Sequence, residues 1–82
     1  MKRVFTYTAI FRTEGNVYVV EFPYFEGIYT FGDSLEEARR MAKEALELVI
    51  LHYIDQGEEL KQEQDFFELQ EGEYAERITV TV

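Results

Sequence analysis

The 82-residue chain predicts an α+β fold of order β-β-β-α-β, an antiparallel meander with one helix packed on one sheet face. Three observations predict it. Residues 4–12 and 77–82 alternate with a period of two. A 3.6-residue period takes over at Gly32-Asp33-Ser34. Turn-forming residues punctuate 13–16 and 23–27.

The first strand, 4–12, sets Phe5, Tyr7, Ala9 and Phe11 on one face and Val4, Thr6, Thr8 and Ile10 on the other. Thr13-Glu14-Gly15-Asn16 is a hairpin turn, Gly15 and Asn16 both being able to take positive φ. The returning strand, 17–22, ends at Pro23, which has no N–H for a ladder. Residues 24–27 turn again and 28–31 form a short third strand. Ser34 with Glu37 fits a capping box, and Glu36 and Glu37 suit the positive end of a helix.

From there Leu35, Ala38, Met41, Ala42, Ala45, Leu46, Val49 and Tyr53 make one apolar stripe. Leu48, Ile50, Leu51 and Ile54 widen it, so the second half of the helix is expected to be buried on more than one side. Gly57 is a natural stop. Residues 58–73 are acidic, with Lys61 their only base, and read as a loop in which Phe66-Phe67 needs an apolar dock. Residues 77–82 form the terminal strand.

With Tyr18, Val20 and Phe22 turned toward the helix, Val17, Val19 and Glu21 point away, and Tyr29 and Phe31 are expected beside them. A sheet face of valines and aromatics invites association. Val17, Val19, Tyr29, Phe31, Phe66 and Phe67 are therefore the candidate interface residues. The competing expectation is that Phe66-Phe67 and the tail cover this face within the same chain.

Length allows one domain, 1–82, and one core. Cysteine is absent, which removes disulfides and Cys-based zinc sites. No leader-like segment opens the chain and its apolar runs are far short of a membrane span, so a soluble cytoplasmic protein is expected. A net charge of −9 with scattered basic residues argues against autonomous nucleic-acid binding and suits a basic protein partner.

Signals for catalysis are weak. His52 is the only histidine and has no nucleophile to serve, and Ser34 is occupied as a helix cap. Gly15, Gly27 and Gly32 read as separate turns, not as a phosphate loop. A two-metal nuclease needs carboxylates converging from strand centre and helix. The first strand has none at its centre, and Glu44 and Glu47 are better placed to pair with Arg40 and Lys43. No catalytic, cofactor-binding or metal-binding residue is assigned, and a metal-dependent nuclease is the weakest alternative.

Over 5–57, the ordered string Tyr18, Val20, Phe22-Pro23, Gly27, Thr30, Gly32-Asp33-Ser34-Leu35-Glu36-Glu37-Ala38, Ala42-Lys43-Glu44-Ala45 and Gly57 resembles the HicB-like antitoxin family. The resemblance implies a partial ribonuclease H-like fold without that fold's catalytic acids. It also implies a non-catalytic role: binding and occluding a small basic toxin RNase, HicA. Two departures stand out. Tyr24-Phe25-Glu26 replaces the family's usual Asp and Leu-Pro before the glycine. The chain also ends in a strand, without the helix-turn-helix or ribbon-helix-helix segment that many members carry, so no direct DNA binding is expected. A homo-oligomer, dimer or tetramer, is expected, and the alternative function is a stand-alone oligomeric binding protein with no toxin partner.

Overall fold

In the computed structural model, which describes residues 2–61, 63 and 68–82, the chain runs through β1 (Val4–Glu14), β2 (Val17–Glu21), β3 (Tyr29–Gly32), α1 (Leu35–Asp55) and β4 (Tyr74–Thr81). The sheet order is β3-β2-β1-β4, and every neighbouring pair is antiparallel. The expected meander and α+β class are both present. The last strand closes on the first: Arg3 and Val82 exchange backbone hydrogen bonds of 2.7 and 2.9 Å.

β1 runs two residues beyond the alternating stretch, to a hairpin in which Glu14 pairs with Val17. Of the two loop residues able to take positive φ, Gly15 does so at 62° and Asn16 does not. A positive φ at the first loop residue alone is the pattern of a II′ hairpin, whose twist matches its strands. β4 starts three residues earlier than the Ile78-Val80 alternation suggests. Its added residues find partners distant in sequence: Tyr74 stacks on Phe11 at 5.2 Å and 9°, and Arg39 holds Glu76 through bonds of 2.7 and 3.1 Å.

The helix is capped at both ends as its sequence proposes. Ser34 Oγ accepts from the Glu37 N–H at 3.1 Å, and the Glu37 carboxylate accepts from Asp33 N–H at 3.2 Å, one residue before the position the capping box usually takes. At the other end Gly57 has φ 71°. Its N–H donates to Ile54 C=O, and Glu58 N–H donates to Tyr53 C=O. Those two bonds together are a Schellman motif.

Gly32 corrects the turn reading. It is buried at the end of β3, and a Cβ there would lie 2.5 Å from the Ala38 nitrogen. The helix start therefore rests directly on β3, a close approach only glycine permits. Ala38, Ala42, Leu46 and Ile50 are the buried helix residues. They meet Phe11, Val20, Phe22, Ile78 and Val80 from the sheet, and removing this apolar area from water is the main drive for docking the helix. The second half of the helix is buried on one side only: Ile50 is in the core, whereas Leu48, Leu51 and Ile54 are exposed.

Candidate interaction surface

Strand alternation divides the sheet's side chains cleanly. Phe5, Tyr7, Ala9 and Phe11 of β1 face the helix with Tyr18, Val20 and Phe22. The opposite, outer face receives Thr8, Ile10 and Arg12 of β1, Val17, Val19 and Glu21 of β2, and Tyr29 and Phe31 of β3. The register sets Val19 between Arg12 and Phe31, and Glu21 between Ile10 and Tyr29. Four of the candidate residues thus lie on one face. Val17 and Val19 are half-buried, while Tyr29 and Phe31 are 60% and 65% exposed. Phe66 and Phe67 lie outside the described residues.

The two halves of this face differ. Under β1 it is closed: Thr8 and Ile10 are buried. Arg12 is surrounded by carboxylates, with Glu14 at 3.1 Å, Glu21 at 3.3 Å and Glu73 at 4.0 Å. Toward β3 it is open and aromatic. Around the β3 edge the apolar surface continues onto the helix flank, through a cleft of about 410 Å³ lined by Gly27, Ile28, Tyr29, Ala45, Leu48, Val49 and His52.

The acidic segment after the helix is tied down more firmly than its composition suggests. β2 leaves β1 after Glu21, so the first half of β1 has an unpaired edge. Thr8 donates its N–H (2.6 Å) and its hydroxyl (2.5 Å) to Glu63 Oε1, which occupies that edge. Lys61 is held beside it by two phenols. Its N–H donates to Tyr24 Oη and its C=O accepts from Tyr7 Oη, both at 2.9 Å. Tyr7, Tyr24 and Phe25 form a ring cluster with centroids 4.7–5.0 Å apart, and Tyr53 of the helix meets Phe25 at 5.5 Å. Burial first, then the neighbouring Tyr24, pushes the Tyr7 phenol up to about 12. The residues that depart from the family's turn pattern, Tyr24 and Phe25, are therefore the anchor of this strap. Only the adjacency of two aromatics after Pro23 hinted at it.

Comparison with known proteins supplies the family. The family model described as HicB_like antitoxin of bacterial toxin-antitoxin system matches residues 7–82. The chain belongs to the HicB-like antitoxin family. It is also 42% identical over 50 residues to a "UPF0150 protein" of Thermotoga maritima, a match covering 61% of this chain and 67% of that protein. Membership in the HicB-like family points to a toxin-antitoxin role. No helix among the described residues is long and apolar enough to cross a membrane.

Proposed function

We propose that this HicB-like protein is an antitoxin that binds a small basic HicA-like RNase and covers its active surface. Family membership over 7–82 is the observation that carries the reading. The net charge of −9 supports it, since an acidic body steers a basic partner into contact. Inhibition by cover needs no chemistry from the antitoxin, only a surface that excludes RNA. The open outer face suits such cover because Val17, Val19, Tyr29 and Phe31 make it apolar at its centre, while Glu14 and Glu21 beside it are already paired with Arg12. The site of action on this reading is the cytoplasm, where a toxin RNase meets its substrate.

The test is to look for a small basic protein encoded next to this chain and to co-express the two. The two should co-purify at moderate salt, and adding the antitoxin should stop RNA cleavage by the toxin. A toxin that still cuts RNA at full occupancy would overturn occlusion. RNA cleavage by the free protein with added divalent metal would replace the reading with an enzymatic one. The second reading, a stand-alone oligomeric binding module without a toxin, is favoured by the exposed rings of Tyr29 and Phe31. It predicts stable self-association and no toxin at the neighbouring locus.

A further inference from the structure

We propose that the open edge of β3 and the helix flank above it form a two-fold interface between two copies of this chain, centred on Thr30. The inference goes beyond the antitoxin reading and names the surface through which the self-association of the second reading would occur. Phe22 donates its N–H to Ile28 C=O, so in this antiparallel pair Ile28, Thr30 and Gly32 turn their backbone groups to β2. The N–H and C=O of Tyr29 and Phe31 are left on the open side. The same two residues carry the exposed rings.

A two-fold axis at Thr30 sets Tyr29 opposite Phe31 of the second copy, and Phe31 opposite its Tyr29. Both aromatic pairs then stack on one face, and both outward residues find backbone partners. Thr30 faces its own copy on the helix side as a non-hydrogen-bonded pair, about 4.5 Å between Cα atoms. The strand is thus complementary to itself in one register.

The helix continues the surface. Met41, Ala45, Leu48 and His52 follow a 4-3-4 spacing, that of a coiled-coil seam. Ala45, Leu48 and His52 line the cleft above the β3 edge, and Leu48 is 70% exposed. Antiparallel packing of two such flanks extends the contact from the paired strands. Area sets what the rest of the contact must contribute. The four exposed rings alone present roughly 400–600 Å², taking about 150–250 Å² per aromatic side chain. A stable interface needs about 1,200 Å², and the strand backbone and helix flanks must supply the rest.

Because the chain lacks cysteine, Thr30→Cys gives a clean test. Under mild oxidation it should form a disulfide-linked dimer of the full chain, whereas Thr79→Cys on β4 should not. In sedimentation equilibrium, Phe31→Glu should raise the dimer dissociation constant at least about a hundredfold and Leu48→Glu about tenfold, the central contact costing most. Circular dichroism would verify that both variants remain folded. A wild-type chain that stays monomeric at millimolar concentration overturns the proposal. So does a dimer that is indifferent to Phe31→Glu and gives no cross-link in the Thr30→Cys variant. Toxin capture is read separately on the same samples. A monomer that still captures toxin sinks this interface and leaves the antitoxin reading standing. A dimer that captures nothing does the reverse. If Phe31→Glu abolishes toxin capture without changing the oligomeric state, the toxin and not a second copy occupies this edge.

Discussion

The two outermost strands of the sheet manage their free edges in opposite ways. β4 carries Thr79 and Thr81 on its outer side, and at its helix end Arg39 clasps Glu76. Charge and hydroxyls make it a poor template for another strand. β3 is only four residues long, yet it shows two aromatic rings and lies under a helix with leucines left in solvent. Among the described residues, short length is the protection it has. In a chain of net charge −9 acidic residues are plentiful, so the lack of charge along β3 is what singles out this edge for the contact we propose.

The comparison breaks most severely if β3 is dislodged. Gly32→Ala places a Cβ 2.5 Å from the Ala38 backbone nitrogen, where no flexible side chain can yield. A cost of about 3 kcal/mol is expected, the upper part of the usual overpacking range, read as a lower urea midpoint with an unchanged slope. A midpoint like that of the wild type would mean that the helix start does not rest on β3. The open edge would then have no rigid support.

A third stretch of edge sharpens the contrast. The first half of β1 is covered by the chain's own strap, with Glu63 8% exposed and bonded to Thr8. Glu63→Ala leaves the Thr8 N–H and hydroxyl without their acceptor. The expected loss is about 2 kcal/mol, that of an unsatisfied buried donor, together with faster hydrogen exchange at the Thr8 amide. Exchange unchanged at Thr8 would show that the edge is protected some other way.

These three edges were unequally legible. Period and punctuation sufficed for the order of elements, the three-strand meander, the capped helix and the outer-face position of Val17, Val19, Tyr29 and Phe31, because those depend on near neighbours. The place of β4 beside β1, a pairing across some seventy residues, was not legible. The strap was not legible: Glu63 meets Thr8 and Lys61 meets Tyr7 across more than fifty residues, in a segment whose composition reads only as acidic. The start of β4 was hidden for the same reason, since Phe11 and Arg39 decide it. Leu48 and Leu51 misled in the other direction. Apolar residues on a helix signal burial without saying whether this chain or a second one provides the cover.

Alkaline pH probes the strap more gently than substitution. Tyr7 ionises near 12 in the folded protein, against an ordinary value of 10.0. Its raised value means that the folded state favours the neutral phenol. That stabilisation is complete below pH 10 and is lost as pH rises toward 12. The phenolate also loses the proton it donates to Lys61 C=O. Burial raises the Tyr74 phenol as well, so ultraviolet titration should show a late step to which Tyr7 contributes, and in Tyr7→Phe that late step should shrink. A single step near the ordinary value of 10.0 in the wild-type protein would show that the ring is not held as described.

The smallest effect belongs to the β4 edge. Arg39→Ala removes a two-pronged ion pair whose arginine is half in solvent, and exposed pairs contribute little because water and salt already screen them. The thermal midpoint should fall slightly at low salt, and the difference from wild type should disappear in about 1 M sodium chloride, where the Debye length shrinks to about 3 Å. Salt acts oppositely on the other edge. Self-association of two acidic chains through aromatic contacts should strengthen as their mutual repulsion is screened, whereas capture of a basic toxin should weaken. A dimer that dissociates on adding salt would place ion pairs, not Tyr29 and Phe31, at its centre.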